Sequence, residues 1–191
     1  MRSLIILWTL TLLQVALAPV AHADPAVDRL PVYPNWESFT TADGLLDDHA
    51  YWVKVDTLNR AVWAGTDNGL ACYRDGTWKV YTPKDGLAHQ AVMGVDVDPK
   101  TGEVWVATFG GLSRFSGGRF QNYTQSNSGL ANDVVYGVAV QGDTIWTATT
   151  AGAGRYLPAT GRWDIYTSQN APMDENWCYN VTVGRGKVFV A

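Results

Sequence analysis

The 191-residue chain is poor in charge and in the side chains that most often do chemistry. Asp, Glu, Lys and Arg make up 17% of it, and it has only 3 His, 2 Cys and 3 Met. Its 14 Lys and Arg form no basic run or stripe and are outnumbered by 18 Asp and Glu, so nucleic acid is not an expected partner. No Ser/His/Asp nucleophile pattern, phosphate-cradling glycine loop, HExxH, CxxC or CxxCH segment occurs. No helical period persists anywhere, which excludes a helical solenoid. Beyond the first residues, no apolar run approaches the roughly 20 residues of a membrane-spanning helix.

The one apolar run lies at the start. Arg2 supplies a positive end, Leu4 to Ala18 is almost wholly apolar, and Ala21-His22-Ala23 is a small-x-small cleavage site. Residues 1–23 are therefore expected to be a signal peptide cleaved after Ala23, which places the mature chain in the periplasm or outside the cell. No Cys stands at the cleavage site to carry a lipid anchor. Removal of Arg2 with the leader takes the formal net charge from −4 to −5. Residues 24–35 read as a linker, and contact with a membrane is expected only through segments beyond Ala191.

What the chain does have is aromatics and glycine: 9 Trp, 9 Tyr and 19 Gly, the composition of many short strands joined by tight turns. These residues recur. Trp36-Glu37-Ser38-Phe39-Thr40, Trp78-Lys79-Val80-Tyr81-Thr82, Phe120-Gln121-Asn122-Tyr123-Thr124 and Trp163-Asp164-Ile165-Tyr166-Thr167 start 42, 42 and 43 residues apart. A second marker keeps the same interval. Val62-Trp63-Ala64-Gly65-Thr66, Val104-Trp105-Val106-Ala107-Thr108 and Ile145-Trp146-Thr147-Ala148-Thr149 are each followed by a Gly three residues after the Thr, and Val188-Phe189-Val190-Ala191 begins another copy.

Each repeat reads as four strands. Tyr51-Val53-Val55, Met93-Val95-Val97, Tyr136-Val138-Val140 and Tyr179-Val181-Val183 alternate with period two in the first strand. The Val-Trp-x-Ala/Gly-Thr strand is second, a strand ending at Tyr73, Phe115 or Tyr156 is third, and the Trp-x-x-Tyr-Thr strand is fourth. Four strands in about 42 residues define an all-β chain, a β-propeller of four-stranded blades, over residues 36–191. About three and a half blades are present, too few for a ring, so the chain is expected to be a truncated part of a longer protein. Trp36 to Thr40 would be the fourth strand of the last blade, and closure between chains is the alternative. Trp63, Trp105 and Trp146 recur in one register and are expected in the core between blades. Cys72 and Cys178 fall on distant blades and are expected to be buried free thiols.

At these residues the sequence resembles the two-component regulator propeller family, whose repeat reads apolar-Trp-x-Gly-Thr-x-x-Gly-Leu-x-Arg-Tyr. The matching segments are Val62 to Tyr73, Val104 to Phe115 and Ile145 to Tyr156. Arg114 and Arg155 keep the motif's Arg; Cys72 replaces it in the first copy, and Ala153 replaces the Leu in the third. The resemblance implies the extracytoplasmic sensor part of a signalling protein, a ligand-sensing or protein-interaction module and not necessarily an enzyme. It does not assign kinase activity to these residues.

A propeller binds at the mouth of its channel, on loops positioned by the scaffold. The repeat register brings Asp47 and Asp48, His89 and Gln90, Asn132 and Asp133, and Glu175 and Asn176 to equivalent places on that rim. Such a rim could take a small molecule, sugar hydroxyls, an amine or a protein partner. No cofactor is expected, although acidic groups of this kind would admit a divalent cation. Equally, Asp and Asn at turns commonly satisfy local backbone groups. Trp52 and Trp177 break the repeat beside the start of the first strand and are candidate rim aromatics for a glycan. His49 and His89 lie out of register with each other and make no recognised metal spacing. The enzymatic alternative is a cation-assisted lyase or hydrolase at the channel mouth, a parallel at the level of fold to the streptogramin lyases.

Overall fold

A computed structural model describes residues 37–191; the expected leader, the linker and Trp36 lie outside the described residues. Three four-stranded sheets and one two-stranded sheet follow one another along the chain. The first holds β1 (Ala50–Asp56), β2 (Ala61–Thr66), β3 (Gly69–Arg74) and β4 (Thr77–Tyr81). The second holds β5 (Val92–Val97), β6 (Val104–Thr108), β7 (Gly111–Ser116) and β8 (Arg119–Tyr123). The third holds β9 (Val135–Gln141), β10 (Thr144–Thr149), β11 (Gly152–Leu157) and β12 (Arg162–Tyr166), and the last pairs β13 (Val181–Gly184) with β14 (Lys187–Val190). Each sheet is an antiparallel meander in chain order. The first strands line up, β5 lying between β1 and β9, and β9 between β5 and β13.

Sheets stacked face to face need strands that are apolar on both sides, and β6 is buried at every position from Val104 to Thr108. The repeated Trp is the main contact. Trp63 stacks on Tyr81 at 6.0 Å within its own sheet and meets Phe115 of the next sheet edge-on at 5.8 Å. Trp105 repeats this with Tyr123 at 5.8 Å and Tyr156 at 6.1 Å. Full burial of such a side chain contributes roughly 1.5–3 kcal/mol, and each aromatic pair about 0.5–1.5 kcal/mol more. The Val pairs of the first strands complete the seam: Val95 and Val97 are 1% and 6% exposed against the preceding sheet, whereas Val53 and Val55, their equivalents in β1, are 61% and 60% exposed.

The Thr-x-x-Gly motif closes the turn between the second and third strands. Thr108 Oγ1 donates to Gly111 O (2.7 Å) and accepts from Gly110 N (3.1 Å); Thr66 and Thr149 do the same in their sheets. The Gly is obligatory. At Gly111, φ is +116° and a Cβ would lie 2.4 Å from Tyr123 O.

The segment ending at Thr40, expected as the fourth strand of the last blade, forms no strand over its described residues. Phe39 nevertheless takes the place that Tyr81 and Tyr123 hold elsewhere, 4.9 Å from Tyr73 and 5.6 Å from Trp78. The strand expected from Tyr179 is regular from Val181, and Asn180 and Ala191 exchange N–H···O bonds that continue its ladder with β14 by one further pair. Trp63 and Trp105 are buried, as expected, whereas Trp146 is half-buried against its core cluster, and both Cys72 and Cys178 are buried free thiols.

Candidate functional site at the channel mouth

The loops leading into β1, β5 and β9 lie at the same end of the sheets as the turns between second and third strands. Asn68 Nδ2 donates to Asp47 Oδ2 at 2.5 Å, and Gly111 N donates to Asp133 O at 2.7 Å. All eight rim residues are at this end, and the structure shows what most of their side chains do. Asp47, His89 and Asn132 each accept from the backbone N–H two residues on, in His49, Ala91 and Val134, at 2.8, 3.0 and 2.8 Å. Asp48, Asp133 and Asn176 each accept from a backbone N–H seven or eight residues earlier, in Thr41, Gln125 and Ser168, at 2.8, 2.7 and 2.8 Å. The second copy departs from this pattern for a clear reason: Pro83 occupies the donor position and has no N–H, and Gln90 stands where the acceptor would be. Gln90 and Glu175 are exposed and make no hydrogen bond to a described residue.

The rim is therefore a set of braced loops. Its outward chemistry is aromatic. Phe109 meets Tyr136 edge-on at 5.4 Å, Tyr136 lies 5.2 Å from Tyr179 and 6.4 Å from Trp177, and Trp177 stacks on Tyr179 at 5.9 Å. His89 adjoins Phe109 at 6.5 Å. Phe109, Trp177 and Tyr179 are 37%, 46% and 60% exposed. The first sheet contributes a polar counterpart: Tyr51 Oη donates to both Asp67 carboxylate oxygens (3.0 Å), and that hydrogen bond holds the phenol above its usual pKa.

Trp177 lies in this aromatic arc, against Tyr136 and Tyr179. Trp52 does not join the aromatic arc. It packs half-buried against the core around Trp63 and Val92, and borders a cavity of about 350 Å³ between the first strands. Lys54 and Asp96 line the same cavity. Asp96 Oδ1 pairs with Lys54 Nζ of the first sheet at 2.7 Å, and its Oδ2 accepts from Val140 N of the third sheet at 2.7 Å. Phe109, Tyr136 and Tyr179 join the arc without having been singled out as rim aromatics by the sequence. The two Tyr were visible only as strand markers. Among the described residues no group of three or more His, Cys, Asp or Glu is arranged to hold a metal ion, and no helix is long and apolar enough to cross a membrane.

No protein-family model and no curated protein sequence matches the chain. Solved structures do. The extracellular domain of BT3049 from B. thetaiotaomicron, named as a hybrid two component system, superimposes with a TM-score of 0.71 over 81% of this chain at 19% identity. The corresponding domain of BT4673 from the same organism gives 0.58 over 74% at 17% identity. This chain spans 23% of the length of the first and 19% of the second. The WD40 β-propeller domain of Doa1 gives 0.56 over 76% of this chain and 49% of its own length, at 13% identity. The likeness defines a fold of successive β-propeller blades, shared with extracellular domains of two-component systems.

Proposed function

We propose that this protein is an extracytoplasmic β-propeller that senses or docks a ligand at its channel mouth, as the sensor part of a two-component-type signalling protein. Three observations support the reading: the leader-like start of the sequence, the family-like repeat, and the fold shared with extracellular domains of two-component systems. The blades belong to a closed ring, in which the segment carrying Phe39 supplies the fourth strand of a blade.

The observation that carries the ligand reading is the exposed stack of Trp177 and Tyr179, continued through Tyr136 to Phe109. Flat aromatic faces at a polar rim suit ligands with flat apolar faces and hydroxyl edges, and a glycan fits that description. Gln90, Glu175 and the unused oxygens of Asp48 and Asp133 would meet its hydroxyls. The test is an array of plant and bacterial oligosaccharides, with the best binder taken into calorimetry. Trp177→Ala and Tyr179→Ala should each weaken binding about tenfold or more, equivalent to roughly 1.4 kcal/mol. Unchanged affinity in both variants would remove the mouth as the site.

A further inference from the structure

One sheet junction differs from the others, away from the mouth. In the second sheet Arg114, opposite Trp105 on the neighbouring strand, lies over that ring at 5.7 Å and pairs with Glu103. In the third sheet Arg155 is opposite Trp146 and pairs with Asp164 at 3.5 Å. In the first sheet the residue opposite Trp63 is Cys72, and Ala61 stands where Glu103 would be. Both members of the ion pair have become small. The vacated space is a cavity of about 430 Å³, walled by Trp63, Tyr81 and Phe115, with Cys72 at its side.

The polar groups at this cavity are also particular to the junction. Arg74 and Lys79 line it, where the other sheets have Ser116 and Leu157, and Gln121 and Asp164. Lys79 Nζ lies over the Tyr81 ring at 5.1 Å, and neither cation forms an ion pair with a described residue. The Asp75 carboxylate stands at the edge. An aromatic-walled hollow of this size with two unpaired cations is complementary to a small molecule with an apolar body and an anionic group.

We infer that the groove between the first two sheets is a second ligand site, taking a small carboxylate with an aromatic or aliphatic body. Its apolar part would lie on Trp63 and Phe115, in the volume that an Arg side chain fills elsewhere. Its carboxylate would face Lys79 and Arg74.

The repeat itself supplies the test. Cys72→Arg combined with Ala61→Glu rebuilds the arrangement of the second sheet and should fill the cavity while preserving the fold, checked by near-ultraviolet circular dichroism. Benzoate and 4-phenylbutyrate are the probes, followed by amide chemical shifts in the full chain. Saturable shifts around Trp63, Tyr81 and Phe115, abolished in the double variant, are expected. Lys79→Gln should weaken binding about tenfold, Lys79→Arg should retain it, and Trp177→Ala should leave it unaltered. No saturable shift in the native chain, or equal binding by the double variant, overturns the assignment.

Discussion

Thr108 offers a close test of why the repeat has the sequence it has. It is fully buried, and its hydroxyl bridges two backbone groups of the turn between β6 and β7. Thr108→Val keeps the shape and removes both hydrogen bonds. One acceptor site on the buried Gly111 O is then left without a partner, at about 1–3 kcal/mol, and the part-buried Gly110 N–H loses its acceptor at smaller cost, so a total loss of about 1–3 kcal/mol is expected. Thr108→Ser keeps the hydroxyl and gives up one methyl, worth about 0.8–1 kcal/mol. Urea unfolding followed by tryptophan fluorescence separates the two. With m of about 1–3 kcal/mol/M, the Val variant should unfold at a midpoint lower by about 1 M with m unchanged, and the Ser variant by clearly less. Thr66→Val and Thr149→Val should behave alike, since their turns are built the same way. A Val variant as stable as the Ser variant would show that the hydroxyl is incidental and that the motif requires only a β-branched side chain.

Burial pushes the Tyr123 phenol up to about 12, with the adjacent Tyr156 phenol adding to the effect. A raised folded pKa means that this contribution is complete below the ordinary value of 10.0 and is lost as pH rises toward 12. Stability should therefore fall across that window, and Tyr123→Phe should flatten the fall in a series of denaturation curves taken at rising pH. Asp96→Ala breaks contacts to two neighbouring sheets and should cost about 2–3 kcal/mol in urea unfolding, whereas Lys54→Met, on a side chain 41% exposed, should cost under about 1 kcal/mol. Gly111→Ala places a Cβ against Tyr123 O at positive φ, and a loss of about 2 kcal/mol or more is expected in the same assay.

The scaffold was legible because its determinants recur. Two markers in one register, Val-Trp-x-x-Thr and Trp-x-x-Tyr-Thr, were enough to place all four strands of a repeat and to put Trp63 and Trp105 in the core. The site was less legible because the same residue types serve two ends. Asp48, Asp133 and Asn176 suit a ligand rim and a braced turn equally well by sequence; the structure has one oxygen of each bracing a loop through a backbone N–H, and the exchange of Asp for Gln90 opposite Pro83 follows from that role. Tyr136 and Tyr179 were hidden by their regularity, since a period-two strand pattern does not say which end of the strand is open. The departure at Cys72 was visible as a broken motif, but its consequence, a cavity, depends on the neighbouring sheet's Phe115 and could not be read from one repeat.

Calorimetry of the strongest oligosaccharide from the array against the native chain, Trp177→Ala, and Lys100→Ala at the opposite end of the sheets decides whether the proposed mouth binds through its aromatic arc. Affinity about tenfold or more weaker in Trp177→Ala and unchanged in Lys100→Ala is expected. Equal affinity in all three proteins, or no binder on the array, would refute binding through the arc.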